Sequence, residues 1–262
     1  MCYEIIDLKF GTMRIYEKGE ERLYVYETKD PIDNQVVLVK KGDVLVSIEA
    51  PLFKDNVEEL NNYIRSLNIS RSYVLLVDHV APKDYLPEAE LYSTKEAINA
   101  LRCGGPKGLF DRFAKTFGNK IQNDLRDDYI EVTNDIDFVG IHMTILSKGE
   151  EFDVVIPSFN AVYTHMLGHD VHSIIAGDGH ADALISELNS FIKSKYELIL
   201  TSHYVPENIE DVKTKIAYID NIKTIAKASK NKAEFIDKVK KSYPNYSGLN
   251  YLDITASSYF KE

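Results

Sequence analysis

The sequence predicts an α/β protein in which two β-sheets pack face to face between outer layers of helices. Three observations favour this fold class. Each half of the 262-residue chain contains apolar strands joined by hairpins. Each half then continues through an amphipathic helix into a short strand that ends in polar residues. Two such halves form a four-layer αββα sandwich whose polar loops converge at one edge.

The composition limits the kind of protein. The chain is 44% hydrophobic and 27% charged, which is ordinary for a globular protein, and its net charge of −10 argues against a nucleic-acid partner. No apolar run approaches the roughly 18 residues that a membrane span needs, and no signal segment precedes the first strand. Cys2 and Cys103 lie too far apart in sequence to form a typical metal-binding pair. We therefore expect a cytoplasmic protein with a small-molecule partner, and neither nucleic acid nor membrane.

The first half is predicted to be rich in strands. β-Branched residues and tyrosines cluster there between turns that contain glycine or proline, and residues 41–43 provide the turn of a hairpin. Asp55 or Asn56 is expected to cap a helix, after which a buried strand completes a β-α-β unit with parallel strands. A capping box at residues 93–96 then opens a second helix. The predicted strands are residues 3–8, 22–27, 35–39, 44–48, 73–77 and 87–92.

The second half repeats this order. Residues 138–146 alternate between two faces as a single strand does. A hairpin across residues 158–159, a helix over 180–194 and a strand over 197–200 follow. From residue 206 onward the apolar spacing is helical, with faces too narrow to form a core alone. We therefore predict a sandwich domain over residues 1–205 and a C-terminal helical extension over residues 206–262 that packs on it.

The most informative stretch is the polar turn after the strand at residues 73–77. This turn carries Asp78, His79, Lys83 and Asp84. Titratable groups at the carboxyl end of a buried strand lie where open α/β sheets build their sites. The sequence therefore predicts a functional site at this turn.

The order of features around this turn resembles the metallo-β-lactamase family over roughly residues 20 to 207. In that family a hairpin strand ends in a structural aspartate, where this chain has Glu49. The next strand of the family ends in the motif H-x-H-x-D-H, where this chain reads His79-Val-Ala81-Pro-Lys83-Asp84.

Three later ligand positions of the family also have counterparts here. A loop before the second hairpin supplies a histidine in the family, and this chain has Lys148, Gly149, Glu150 and Glu151 there. The family's bridging aspartate corresponds to His165, and its final histidine corresponds to His203. Of the family's ligand positions, His79 and His203 are the two that keep the family's residue.

The resemblance implies the αββα fold of the metallohydrolases but not their two-zinc site. Ala81 has no ligand atom, and Lys83 brings a positive charge where a metal ion should lie. The residues that remain still offer enough imidazole and carboxylate groups for one rebuilt site, which would suit a single Zn, Fe or Mn ion. These candidates are His79, Asp84, Glu150 or Glu151, His165 and His203.

Two functions follow from this resemblance. The first is a non-catalytic protein with a degenerate site that binds a small anionic ligand in a pocket centred on Lys83, whose ammonium replaces the charge of a metal ion. The second is a mononuclear metal-dependent hydrolase, in which an activated water attacks an ester-, lactone- or thioester-like carbonyl. In the second, the three histidines and Glu150 hold the metal, and Asp84 and Lys83 are the catalytic candidates.

The histidine-rich segment over residues 164–172 is a separate candidate. His169 and His172 are candidates for binding substrate anions when protonated. The alternative is a polar loop whose histidines bond to the backbone, which we favour for His169, whereas the resemblance favours His172 for the site. The sequence implies no cofactor besides one metal ion. It leaves open whether the C-terminal helices cover the pocket or form the contact of a homodimer.

Overall fold

The structure is a computed structural model that describes residues 2–165 and 167–260. The chain divides into two compact units. Unit 1 takes in the described part of residues 1–166 together with Glu197–Pro206, and unit 2 takes in Leu167–Tyr196 and the described part of residues 207–262. The predicted domain boundary at residue 205 stays a prediction, and the last two residues of the predicted extension lie outside the described residues.

The larger sheet of unit 1 contains eight of the described strands, arranged in chain order. These strands are β1 (Glu4–Asp7), β2 (Thr12–Lys18), β3 (Glu21–Glu27), β4 (Gln35–Lys41), β5 (Val44–Ile48), β6 (Arg71–Leu75), β7 (Glu90–Ser93) and β8 (Tyr129–Glu131).

The direction of pairing changes within this sheet. Strands β1 to β5 pair antiparallel, as expected for strands joined by short turns. Strands β5 to β8 pair parallel. Helices lie in the crossovers from β5 to β6 and from β7 to β8, whereas a loop over residues 76–89 joins β6 to β7. The predicted β-α-β unit with parallel strands β5 and β6 is confirmed.

The smaller sheet of unit 1 has the order β13-β12-β11-β10-β9 among the described strands. Strands β9 to β12 pair antiparallel, whereas β12 and β13 pair parallel. Its strands are β9 (Asp135–Phe138), β10 (Ile141–Ser147), β11 (Phe152–Ile156), β12 (Ala161–Thr164) and β13 (Leu198–Thr201).

The hydrophobic core of unit 1 lies on both faces of the larger sheet. In β4, Val37 and Val39 pack with residues of the smaller sheet, and Val36 and Leu38 pack on the opposite face. Side chains alternate along a strand, so a strand buried on both faces must be apolar throughout. Each fully buried aliphatic side chain contributes roughly 1.5–3 kcal/mol, so Val37 and Val39 help to hold the two sheets together.

Helices cover the outer face of the larger sheet. Helices α1 (Lys54–Ser66), α2 (Lys95–Cys103) and α3 (Gly105–Phe117) contribute buried side chains to the core on that face. Layers of helix, sheet and sheet are thus present in unit 1, as the sequence predicts.

Three local predictions are wrong. Helix α2 is capped by Thr94, whose hydroxyl accepts the Ala97 N–H at 3.3 Å, and not by a capping box that begins at Ser93. Helix α1 begins after Phe53, not after Asp55 or Asn56, because the Asn56 amide instead donates to the backbone oxygen of Thr28. The single strand predicted over residues 138–146 is a hairpin of β9 and β10, which turns at Val139 and Gly140 with positive φ angles of 54° and 90°.

Unit 2 is helical. Helix α4 (Asp178–Ser194) packs against α5 (Ile209–Lys227), and α6 (Lys232–Ser242) packs against α7 (Leu249–Tyr259). Across the described residues of both units, no helix is long and apolar enough to cross a membrane.

Candidate metal centre

His79 lies in the turn that follows β6, and a buried carboxylate fixes the backbone of this turn. Oε1 of Glu49 accepts the backbone N–H groups of Val77 and Asp78 at 3.3 and 2.9 Å, and Oε2 accepts that of His79 at 3.1 Å. The Tyr163 hydroxyl also donates to Oε1 of Glu49, at 3.3 Å. Glu49 is fully buried, so its acceptors hold the His79 turn in one conformation.

Glu49 reaches this position through an unusual backbone angle. It follows β5 with a φ of 67°, in the left-handed region that costs a non-glycine residue roughly 1–2 kcal/mol. Burial raises the pKa of Glu49 to about 8, although three backbone N–H groups favour its charged form. Strain and a buried acid at one residue are typical of functional sites.

His165 and His203 leave the smaller sheet at the same edge. His165 directly follows β12, and His203 follows β13 after one intervening residue. These two strands pair parallel with Thr164 opposite Thr201, so their carboxyl ends meet. The backbone N–H of Ser202 also donates to the carbonyl oxygen of His165 at 3.0 Å. The parallel pair thus places both histidines next to each other.

The three histidines form one cluster. The ring centroids of His79 and His203 are 5.0 Å apart, and those of His165 lie 5.2 Å from each of the other two. One nitrogen from each ring lies within 4.8 Å of the others. A metal ion bound to histidine nitrogens at about 2 Å from each requires ligand atoms at such separations.

Burial favours the neutral form of all three imidazoles. Burial, together with the neighbouring imidazoles, lowers the pKa of His79 well below its usual value. Burial, His203 and Lys148 lower the pKa of His165 to about 3. Burial also lowers the pKa of His203, although its bond to the Ile32 carbonyl acts in the opposite direction. Neutral imidazole is the form that binds metal ions.

Some nitrogens of these rings remain available to bind a metal ion. Among the described residues, the buried Nδ1 atoms of His79 and His165 have no hydrogen-bond partner. Oδ2 of Asp78 lies 3.1 Å from Nδ1 of His165, without the geometry of a hydrogen bond. Buried polar atoms without partners are costly, and a metal ion would satisfy them. The residues present therefore fit one metal ion.

Carboxylates adjoin the histidines. Asp78, Glu151 and His165 form a second set whose ligand atoms lie within 4.8 Å of one another. Burial and the charges of Glu151 and Glu150 raise the pKa of Asp78 to about 7. The predicted ligand Glu150 is not in either set among the described residues and acts on Asp78 through its charge.

Lys83 and Asp84 do not contact the cluster, contrary to the sequence prediction. The ammonium of Lys83 lies 3.5 Å from Asp124, and its side chain is 57% exposed. Asp84 accepts a hydrogen bond from the side chain of Gln122. Residues 121–126 form a strap that pairs with the backbone of this turn, through Lys83 N–H to Asp124 O at 2.8 Å and Arg126 N–H to Ala81 O at 2.9 Å. Because the strap fixes the backbone there, these two side chains contact the strap.

A different lysine lies beside the cluster. Nζ of Lys148 is 3.0 Å from Oδ1 of the buried Asp153, 3.7 Å from Glu151 and 3.3 Å from Oγ1 of Thr164. Since Thr164 precedes His165, this ammonium is the cation that opposes protonation of His165.

His169 and His172 lie in unit 2, and their partners are there. Nδ1 of His169 is 2.6 Å from Oε1 of Glu207, and this contact raises the pKa of His169 although burial opposes it. His172 is buried with Nδ1 3.0 Å from the Tyr218 hydroxyl, and burial and Lys215 lower its pKa to about 4. A substrate-binding role for these two residues stays a prediction.

The burial of Lys215, in unit 2, predicts how the stability of the protein depends on pH. Its ammonium donates to the carbonyl oxygens of Gly168 and Val171 at 2.8 and 2.6 Å, and burial lowers its pKa from 10.5 to about 7. Between those two values the unfolded chain binds more protons than the folded chain, so the stability that involves this residue rises with pH. We expect the free energy of unfolding of the wild type, relative to Lys215→Met, to increase by up to about 1.4 kcal/mol per pH unit above pH 7.

Urea denaturation of both proteins at pH 7, 8 and 9 measures this difference. Lys213→Met is the matched control, because Lys213 lies on the same helix with a side chain that is 53% exposed. Its difference from the wild type is expected to stay constant with pH. A flat or falling difference for Lys215→Met would contradict the prediction.

Sequence reasoning missed two acidic residues of this site. From the sequence, Asp78 has no predicted ligand role, and Glu151 is only an alternative to Glu150. The direction in which these two side chains point depends on the backbone of the turns that carry them. The periodicity of side chains along a strand does not predict that backbone. The position of Asp78 directly after a buried strand was the available signal.

Comparison with known proteins shows the fold. No protein-family model matches the sequence, and no curated protein matches it. Solved structures do match, including a metallo-β-lactamase from Pontibacter korlensis, with 13% identity, 84% of this chain and 100% of that chain covered, and a TM-score of 0.49. The DIM-1 metallo-β-lactamase matches with 13% identity, 83% and 99% coverage and a TM-score of 0.47.

A third structure is similar over more of the chain. The stereoselective inverting sec-alkylsulfatase Pisa1 from Pseudomonas sp. matches with 11% identity and a TM-score of 0.59. The match covers 91% of this chain, which spans 48% of the alkylsulfatase chain. The chain has the metallo-β-lactamase fold of this third structure, and the predicted fold class is confirmed.

Proposed function

We propose that this protein is a metal-dependent hydrolase with a single metal ion held by His79, His165 and His203. The observation that carries the proposal is the cluster of three histidines whose ligand atoms lie within 4.8 Å of one another. His79 is buried and the other two are partly exposed, and their surroundings lower the pKa of all three. Three protein ligands and one open position are typical of catalytic zinc sites, and imidazole also suits iron.

The chemistry would be hydrolysis of a small-molecule ester, lactone or thioester. A bound Zn, Fe or Mn ion would polarise the substrate and lower the pKa of a water molecule. Asp78 lies beside His165 with its carboxylate 3.1 Å from the ring, where it can accept the proton that the attacking water loses. Glu49 holds the backbone of Asp78 and His79 in place through its carboxylate.

The structure supports this function over a metal-free anion site centred on Lys83. Lys83 is exposed and paired with Asp124, so its ammonium does not compensate the acids beside the histidines. The cation in that position is Lys148, which contacts Glu151 and Asp153.

Metal analysis of freshly purified, untagged protein tests the proposal. We expect about one equivalent of Zn, Fe or Mn per chain, and hydrolysis that is lost with a chelator and restored by the metal. The substrate panel contains carboxylic esters, lactones and thioesters, with a β-lactam and a secondary alkyl sulfate added because two structural neighbours bear names that point to these compounds. Failure to bind any of the three metals after reconstitution would overturn the proposal.

A further inference from the structure

The loop between β3 and β4 has no ligand of its own, but it determines the orientation of one proposed ligand. This loop, residues 28–34, closes on itself through the Thr28 N–H and hydroxyl, which donate to the Asn34 carbonyl oxygen at 3.0 and 2.8 Å. Asp30 lies inside the loop and is 7% exposed. Its Oδ1 accepts the N–H of Ile32 at 2.9 Å and that of Asn34 at 3.4 Å.

Neighbouring elements fix the loop at both ends. The side-chain amide of Asn34 donates to the carbonyl oxygen of Ala50 at 2.9 Å, and that of Asn56 donates to the carbonyl oxygen of Thr28 at 2.8 Å. Ala50 directly follows Glu49, which holds the His79 turn. The loop is thus attached to the same segment after β5 that supports the histidine cluster.

The loop contacts the cluster at one atom. Nδ1 of His203 is 3.1 Å from the carbonyl oxygen of Ile32. A carbonyl oxygen can only accept a hydrogen bond, so Nδ1 of neutral His203 carries the proton. The lone pair of this imidazole is therefore on Nε2. The Ile32 carbonyl thereby selects both the tautomer and the rotation of the His203 ring.

We propose that Asp30 is a positioning residue for the metal centre, acting through Ile32 to hold His203 as the Nδ1–H tautomer with Nε2 ready to bind a metal ion. The inference rests on the proposed function for its metal readout. The carboxylate bonds the Ile32 N–H, and the Ile32 carbonyl bonds His203, so the two ends of this residue link the acid to the imidazole.

The two oxygens of the Asp30 carboxylate differ in their contacts. Oδ2 is buried without a hydrogen-bond partner among the described residues, whereas Oδ1 makes both bonds to the loop. Asparagine would supply the same Oδ1 acceptor with the same shape. The positioning role therefore requires the acceptor and not the charge, and Asp30→Asn is the conservative variant that should preserve it.

Two readouts test the role of Asp30. Metal affinity is measured by competition with a chromophoric chelator, and the tautomer of His203 is measured by nitrogen NMR on the metal-free protein. We expect Asp30→Ala to weaken metal binding by about 10–100-fold, as loss of an orienting partner does, and to mix the tautomers of His203. Asp30→Asn is expected to keep both wild-type values. Lys29→Gln, an exposed change in the same loop, is the control and is expected to change neither.

The outcomes separate this inference from the proposed function. If the wild type binds no metal, the proposed function fails, and the tautomer of His203 still reports on Asp30. If the wild type binds metal and Asp30→Ala keeps both its affinity and the single tautomer, the role of Asp30 is overturned. A loss of folding stability without a change in tautomer or affinity would also overturn it, because that result describes a purely structural residue.

Discussion

Replacing His79 with alanine is expected to weaken metal binding by more than about 100-fold, beyond the loss that orienting partners cause. The change removes one of three nitrogens that lie within 4.8 Å of one another, and two histidines cannot fill a four-coordinate shell. Metal content after dialysis and competition with a chelator measure the effect. His203→Gln is a second variant of similar size, and it should lose binding to the same degree.

Lys83→Ala is the matched control for the histidine variants. Lys83 lies four residues after His79 in the same turn, but its ammonium contacts Asp124. Its removal is therefore expected to leave metal affinity unchanged. If His79→Ala binds metal as the wild type does, or if Lys83→Ala loses the metal, the assignment of the site is wrong.

Replacing Glu49 with alanine is expected to lower the free energy of unfolding by at least about 3 kcal/mol. The change leaves the N–H groups of Val77, Asp78 and His79 buried without their acceptor. Each buried donor that loses its partner costs roughly 1–3 kcal/mol. Urea denaturation of the metal-free protein measures the loss, and a smaller metal affinity should accompany it because the same turn carries His79.

Glu49→Gln and Tyr163→Phe each remove part of the hydrogen bonding of Glu49, so they measure how much of the loss each part causes. The glutamine can keep the oxygen that accepts from Val77 and Asp78, but its amide group then faces the N–H of His79, so an intermediate loss is expected. Tyr163→Phe removes only the hydroxyl that donates to Glu49 at 3.3 Å, and it should cost least of the three. A loss below about 1 kcal/mol for Glu49→Ala would show that water replaces the carboxylate.

The fold could be predicted to the extent that local patterns determine it. The buried run of β4 and the helix that joins β5 to β6 follow from apolar spacing, and both are present. Strand β2 escaped prediction because charged residues interrupt its pattern, although it pairs with two neighbours. The turn at Val139 escaped because a β-branched residue rarely adopts a positive φ.

The site could be predicted in part, for a different reason. The position of His79 after a buried strand predicts its place in the site, whereas His165 and His203 are predicted because the family resemblance places them at ligand positions. The structure brings these three together. The prediction for Lys83 and Asp84 failed because the direction of their side chains depends on the strap at residues 121–126. The strap pairs with this turn over a long separation in sequence. Neither side-chain type nor spacing encodes such a contact.

The three histidines come from two sheets, so the proposed metal binding would depend on folding. His79 leaves the larger sheet, whereas His165 and His203 leave the smaller one, so a chain in which the sheets have not docked has no complete ligand set. Under the proposed function, metal ions would bind the native state in preference to the unfolded state. At a free metal concentration of 1,000 times Kd this linkage adds about 4.1 kcal/mol to the stability. Under the proposed function, metal starvation would thus reduce the amount of folded protein as well as hydrolysis.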